Sequence, residues 1–191
     1  MTKEQHLEIA NSIQGWMIND HLSILYDTTK NKELVVEIGC WKGRTTSVLA
    51  VAERVICIDS WIYDINYKND IWFDVYREYS KNENILEEFK KNLSMFNNID
   101  IIIGKSHDVA NQVLNNAVDL LVIDGDHSYD GIKGDLELYF PKLKNKGIIF
   151  CHDYGDTGVD KAIHEFIKQK NLDISNLNNG GVFLQNNNVD N

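Results

Sequence analysis

Five short apolar runs punctuate the chain, at residues 34–38, 55–58, 99–103, 118–123 and 147–151. They are nearly continuous and rich in β-branched residues, as parallel strands covered on both faces must be. Segments of helical character stand between or beside them, at 45–54, 84–96, 108–115 and 129–139. This alternation predicts an open α/β sheet with helices on both faces. The chain is too short, at 191 residues, for an eight-fold barrel. Beyond the fifth run, 158–170 reads as another helix. Residues 172–177 and 182–185 read as two last strands around the turn Asn178-Asn179-Gly180-Gly181. A helix or helix pair over 7–25 precedes the first strand, within an N-terminal helical segment 1–30, and 186–191 reads as a loose tail. No linker, repeat or composition break divides the chain, so 1–191 is expected to be one domain.

One stretch interrupts this rhythm. Residues 61–82 hold Trp61, Tyr63, Tyr67, Trp72, Phe73, Tyr76 and Tyr79 among Asp, Asn and Lys. Ordinary connections are shorter and less aromatic. The insertion reads either as an extra helix packed on the sheet edge or as the wall of a binding pocket.

Charge narrows the partners. Nineteen Lys and Arg against 29 Asp and Glu leave a formal net charge of −10, which argues against a non-specific grip on nucleic acid. No apolar run approaches the roughly 18 residues of a membrane span, and the N-terminus lacks the apolar core of a signal peptide. A cytoplasmic protein with no membrane partner is expected. Cys40, Cys57 and Cys151 sit in or beside apolar runs without a Cys-x-x-Cys spacing, so they read as reduced, structural residues.

Candidate chemistry gathers where strands end. Glu37-Ile38-Gly39-Cys40-Trp41-Lys42-Gly43-Arg44-Thr45 joins the first strand to the first following helix. Glycines there let backbone approach a ligand, and the helix start offers free N–H groups. Asp59, followed by Ser60 and Trp61, ends the second strand, where an acid can accept hydrogen bonds from a ribose. Strand, glycine turn, helix, strand and terminal acid together indicate a nucleoside-containing cofactor. Trp41 stands where a dinucleotide fingerprint needs its middle glycine, and no Gly-Lys-Ser/Thr closes the turn. A cofactor without phosphates therefore fits better, and Glu37 could place a negative charge near its head group. After the third strand, Ser106 can bond an adenine or cap the next helix, while His107 reads as a surface residue.

The fourth strand runs into Asp124-Gly125-Asp126-His127-Ser128-Tyr129-Asp130 and the fifth into His152-Asp153-Tyr154. In a doubly wound sheet these strands are neighbours, and ligands gather beyond their carboxyl ends. Asp124 and Asp153 would then face each other across a gap of metal-binding size. Oxygen ligation favours Mg²⁺, with Ca²⁺ or Mn²⁺ as alternatives and His152 as a third ligand. His127 can accept a proton from a hydroxyl whose pKa a metal has lowered. Helix capping by Ser128 or Asp130 is the plainer use of the same turn. A two-carboxylate glycosidase would leave the glycine turn and Asp59 without work, and a Gly-x-Ser-x-Gly elbow is absent.

At these residues the chain resembles the class I S-adenosylmethionine-dependent methyltransferases, with their Rossmann-like, mostly parallel sheet. Val35 to Thr46 looks like their first motif, with an aromatic in place of the middle glycine, and Asp59 falls at their ribose-binding acid. The stretch from Ile123-Asp124-Gly125-Asp126-His127-Ser128-Tyr129-Asp130 through Asp135-Leu136 to Cys151-His152-Asp153-Tyr154 resembles a bacterial and viral subgroup of small enzymes. That subgroup is associated with surface-sugar or secondary-metabolite modification. A more distant resemblance reaches the metal-dependent O-methyltransferases, whose Mg²⁺ ligands Asp124 and Asp153 match; His152 departs from their second acid. His127 matches the place of their general base.

The resemblance implies S-adenosylmethionine held by Glu37, Gly39, Trp41, Gly43, Asp59, Ser60, Trp61, Ser106 and Asp124. It implies a metal on Asp124, His152 and Asp153, and methyl transfer to a small-molecule hydroxyl, a sugar by preference. Rival readings are a metal-independent methyltransferase, an NAD-dependent oxidoreductase and a non-catalytic cofactor-binding module. A homo-oligomer face on the N-terminal helix or the aromatic insertion is compatible with the sequence.

Overall fold

A computed structural model describes residues 1–61 and 84–185; the expectations for 62–82 and for the 186–191 tail fall outside them. Its centre is a seven-stranded sheet made of β1 (Leu34–Ile38), β2 (Arg54–Asp59), β3 (Ile99–Ile103), β4 (Val118–Ile123), β5 (Leu143–Cys151), β6 (Asp173–Leu177) and β7 (Gly181–Gln185), in the order β3-β2-β1-β4-β5-β7-β6. The first five strands are parallel, and β7 runs antiparallel to both β5 and β6. This is the α/β Rossmann-like architecture expected from the pattern of apolar runs.

The strands alternate between two cores because successive side chains point to opposite faces. Val36, Ile38, Ile58, Leu121 and Ile123 pack on helices α6 (Tyr129–Tyr139) and α7 (Thr157–Lys170) through Ile132, Leu136, Val159 and Ile163. Val35, Val55, Leu120 and Val122 pack on α1 (Lys3–Ser12), α2 (Asn19–Thr29), α3 (Arg44–Leu49) and α4 (Ile85–Asn92) through Ala10, Leu22, Val48 and Phe89. Both sheet faces are thus covered, which explains the near-continuous apolar runs.

Several boundaries differ from the sequence expectation. The helix expected over 45–54 ends at Leu49, because the chain must reverse into β2; the Asn98 amide holds that reversal by donating to the Ala50 and Ala52 carbonyls at 3.0 and 2.8 Å. The segment expected as a helix over 108–115 forms one helical turn, α5 (Ser106–Val109), then a 3₁₀ turn over Ala110–Gln112. Strand β5 starts earlier, at Leu143, and its pairing with β4 shifts register between Val118 and Leu120. The β6–β7 turn has Asn179 and Gly180 at φ of 62° and 86°, the left-handed conformation that favours these residues. No helix among the described residues is long and apolar enough to cross a membrane.

Candidate active site

Register brings the site together. Ile58, Ile38, Ile123 and Cys151 form one row of paired residues across β2, β1, β4 and β5. One residue beyond that row stand Asp59, Gly39, Asp124 and His152. Backbone bonds continue the ladder by a step: Gly39 N–H to Ile58 O at 3.0 Å, Asp124 N–H to Ile38 O at 2.9 Å and His152 N–H to Ile123 O at 3.1 Å. Strand order reverses between β1 and β4, the switch point at which open α/β sheets bind ligands.

A cavity of about 670 Å³ opens there, within the range of small-molecule sites. Gly39, Trp41, Asp59, Ser60 and Ser106 lie along its wall, and Asp124, His127, His152 and Asp153 lie at its other end. Glu37, Gly43 and Trp61 stand behind that wall.

Gly39 is demanded by the protein's own backbone. At φ 86°, a Cβ here would meet the Asp124 carbonyl oxygen at 2.1 Å. The glycine turn and the acidic turn therefore touch directly. Gly43, at φ 91°, caps α3 and lies close under Leu93 and Phe89. Asp59 braces the same turn. Its Oδ2 accepts the Trp41 N–H at 2.9 Å and its Oδ1 accepts the Trp61 N–H at 2.8 Å. Burial raises its pKa above the usual carboxylate value, while these N–H groups work in the opposite direction.

Trp41 itself has φ 43° and packs against Trp16 with centroids 4.4 Å apart and planes tilted by 31°, while Trp61 Nε1 donates to its carbonyl at 2.8 Å. Glu37 occupies an apolar row of the sheet, fully buried, and accepts the Thr46 hydroxyl on Oε2 at 2.5 Å. Among the described residues its Oε1 has no hydrogen-bond partner. Burial pushes its pKa up to about 8, with Asp124 and Asp59 acting in the same direction.

Ser106 does not cap α5. It donates to Asp135 Oδ1 at 2.5 Å, and burial lifts that carboxyl to about 6. His107 is exposed, as expected.

At the acidic end, His152 Nδ1 lies 3.1 Å from Asp124 Oδ1 and 3.0 Å from Asp153 Oδ2. His127 Nε2 lies 3.2 Å from Asp153 Oδ2 and 3.8 Å from Asp124 Oδ1. Burial alone would disfavour charge on Asp124 and His152. The opposite charges outweigh it: Asp124 is held well below the usual carboxylate range by His152 and His127, and His152 is pushed up to about 10 by Asp124 and Asp153. Asp153 reaches inward from a left-handed backbone, φ 57°. Capping of α6 falls to Ser128, which accepts the Gly131 N–H at 3.0 Å, so the histidine and Asp124 are not needed for it.

Ligand atoms of Asp124, His152 and Asp153 all lie within 4.8 Å of one another, and so do those of Glu37, Cys40 and Cys57. The second group is sealed in the core, and burial pushes both thiols up, away from the thiolate a metal needs. All three cysteines are free and buried.

Sequence reasoning passed over several cavity residues. Asp135 lies in the stretch that resembles the methyltransferase subgroup, yet only its side-chain direction reveals that it faces the cavity. Trp16 and Met17 reach the wall from the loop between α1 and α2. That loop is held by Arg44, which donates to the carbonyls of Ala10, Ile13 and Met17 at 2.7, 3.1 and 2.9 Å.

The family model for a methyltransferase domain matches residues 36–154, from β1 to the turn after β5. The chain belongs to this methyltransferase family. Its fold is that of the class I S-adenosylmethionine-dependent methyltransferases. This methyltransferase domain is 31% identical over 144 residues to an uncharacterized protein of Acanthamoeba polyphaga mimivirus, an overlap of 71% of this chain and 58% of that protein. The chain thus spans little more than half the length of that relative. Among solved structures, the O-methyltransferase NovP superposes with a TM-score of 0.68 at 18% identity, covering 96% of this chain and 88% of that one. The TDP-rhamnose 3'-O-methyltransferase of calicheamicin biosynthesis superposes at 0.60 with 13% identity, covering 97% and 93%.

Proposed function

We propose that the protein is an O-methyltransferase that uses S-adenosylmethionine to methylate a hydroxyl of a small molecule, a sugar by preference, with a divalent cation at Asp124, His152 and Asp153. The observation that carries this reading is the single cavity running from Gly39, Asp59 and Ser106 to the cluster around His127. A donor site and a proton-accepting site open into one volume.

Asp59 and Ser60 would receive the donor's ribose, and Ser106 with Asp135 its adenine, a reading supported by their place on the cavity wall. Trp41 gives the turn an apolar wall in place of the bare backbone a pyrophosphate requires, which supports this donor over a nicotinamide dinucleotide. Two carboxylates and an imidazole converging within 4.8 Å fit a divalent cation. When bound, S-adenosylmethionine supplies an electrophilic methyl group, and the cation lowers the pKa of a hydroxyl beside it. His127 Nε2 takes the hydroxyl proton, and Asp153 at 3.2 Å stabilises the imidazolium so formed. Positioning and electrostatics supply the rest of the rate. The sugar preference is supported by the subgroup resemblance and by the likeness to an enzyme described as acting on TDP-rhamnose.

A metal-independent version of the same reaction is favoured by one observation. His152 and His127 already lie 3.0–3.2 Å from Asp153, and His152 lies 3.1 Å from Asp124, so the carboxylates have imidazole partners of their own.

The test is calorimetric titration with S-adenosylhomocysteine, with and without divalent cations, followed by an acceptor screen among glycosides. Micromolar binding and methylation that stops on chelation support the proposal. Methylation that survives exhaustive chelation selects the metal-independent reading, and folded protein that binds no thioether defeats both.

A further inference from the structure

We propose that His152 makes the cation site of this protein select a first-row transition dication, of the Mn²⁺ or Co²⁺ type, over Mg²⁺. The proposal rests on the metal-assisted reading above. It departs from the expectation of Mg²⁺ on Asp124, His152 and Asp153.

Geometry puts the imidazole at the centre of the donor set. His152 Nδ1 lies between Asp124 Oδ1 and Asp153 Oδ2, at 3.1 and 3.0 Å. Any cation held by the two carboxylates would therefore have this nitrogen within reach.

The ring is also held in place. The His152 backbone is tied to Ile123 O at 3.1 Å, and its ring packs edge to face with His21, centroids 5.7 Å apart and planes at 85°. His21 is itself buried and anchored through Nε2 to the Asn178 carbonyl at 2.7 Å, on the β6–β7 turn. A Cβ on Gly181 would come within 2.9 Å of the His21 ring, so that anchor has no slack on the hairpin side. Phe150 packs beside both rings. Turning the imidazole out to leave an all-oxygen set would mean disturbing the N-terminal helix, the sheet and the hairpin together.

Chemistry then decides the ion. Mg²⁺ is hard, prefers oxygen and keeps several waters in a near-ideal octahedron. Imidazole nitrogen is a borderline donor that suits transition dications, while the two carboxylates remain acceptable to both classes. Replacing an acid by His152 lowers the negative charge offered to Mg²⁺ and adds a donor that a transition ion uses better.

The experiment titrates the metal-stripped 191-residue chain, saturated with S-adenosylhomocysteine, with Mg²⁺, Mn²⁺ and Co²⁺ separately by calorimetry. Wild type is compared with His152→Asp, which restores an all-carboxylate set. Transition ions bind most oxygen and nitrogen sites more tightly than Mg²⁺, so the informative quantity is the change in ratio. The Mn²⁺-to-Mg²⁺ and Co²⁺-to-Mg²⁺ affinity ratios should each fall at least about tenfold in the variant. Pulsed paramagnetic resonance of Mn²⁺-loaded wild type should show coupling to an imidazole nitrogen, a readout that needs neither the variant nor turnover. Unchanged ratios in a folded variant, or no nitrogen coupling, overturn the proposal. Failure of all three ions to bind also overturns it, and retained thioether binding then shows that the methyltransferase reading stands without it.

Discussion

Trp41 and Asp59 are joined by a 2.9 Å hydrogen bond from the backbone N–H of the first to Oδ2 of the second. The acid at the end of β2 therefore does two jobs. It presents a carboxylate to the cavity, and it fixes the shape of the turn across from it. Changing Asp59 to Ala removes acceptors from both Trp41 and Trp61, at roughly 1.5–3 kcal/mol for each charge-assisted bond. S-adenosylhomocysteine affinity should drop at least about tenfold, with a fall in thermal stability. Asp59→Asn keeps one acceptor and should lose less stability than affinity. Calorimetry and thermal unfolding of the two variants check this; equal thioether affinity in Asp59→Ala and wild type would sink it.

His127 should separate chemistry from binding. It stands at the far end of the cavity from Asp59, and its ring nitrogen faces Asp153 at 3.2 Å. His127→Gln is expected to cut kcat by about 10²–10⁴, the usual share of a general base, while the thioether Kd stays within about threefold. Steady-state kinetics on an accepted glycoside, paired with a thioether titration, tests both halves. A variant with unimpaired kcat would remove His127 from the proton-transfer role.

Glu37 should make the fold sensitive to alkaline conditions. Its pKa is 4.5 in a solvated chain and about 8 in the fold, so the native state retains a proton that the unfolded chain releases. Stability attributable to this group is highest at low pH, declines as pH rises from about 4.5 to about 8, and levels off above. Glu37→Gln mimics the neutral acid and keeps an acceptor for Thr46. It should be more stable than wild type at about pH 9, by an amount on the order of 3 kcal/mol, and should match it near pH 5. Urea unfolding at the two pH values measures this. Parallel pH profiles for the two proteins would contradict it.

Arg44 should control the loop between α1 and α2. Besides three backbone carbonyls, its guanidinium donates to Asn11 Oδ1 and Asn19 Oδ1 at 3.0 and 3.1 Å. A lysine keeps the charge but loses the planar fork that meets so many acceptors at once. Arg44→Lys is expected to raise amide exchange in residues 10–19 by at least about tenfold, while strand amides keep their protection. Exchange measured by mass spectrometry decides, and uniform protection along the chain would count against the pinning role.

Much of this arrangement could be read before any coordinates. Runs such as 34–38 and 118–123 are continuous and β-branched because both sheet faces are covered, and the residues that terminate them are those that reach the cavity. Gly39, Asp59, Asp124 and His152 could be named for that reason. What could not be read is where side chains turn. Glu37 looks like a cofactor contact at the end of a strand, but the period of two sends it to the helix α3 side, under Thr46. Ser106 reads as an adenine contact or a helix cap, and in the fold it meets Asp135, nearly thirty residues on, because α5 and α6 lie side by side. Arg44 sits at the start of a helix just after the glycine turn, and its donors are spent on the N-terminal segment. These outcomes depend on packing between distant segments, to which local periodicity is blind.

Three of the four tryptophans meet at one corner of the molecule. Trp16 packs against Trp41, and Trp61 bonds the Trp41 carbonyl while resting against Phe89. Ultraviolet excitation of the unlabelled protein therefore reports chiefly on the neighbourhood of the glycine turn. Indole emission responds to local polarity and to quenching groups, so a ligand entering beside Trp41 writes its arrival into the colour and brightness of the native fluorescence. The cavity comes with its own lamp, and occupancy can be followed in a stopped-flow cell without attaching any dye.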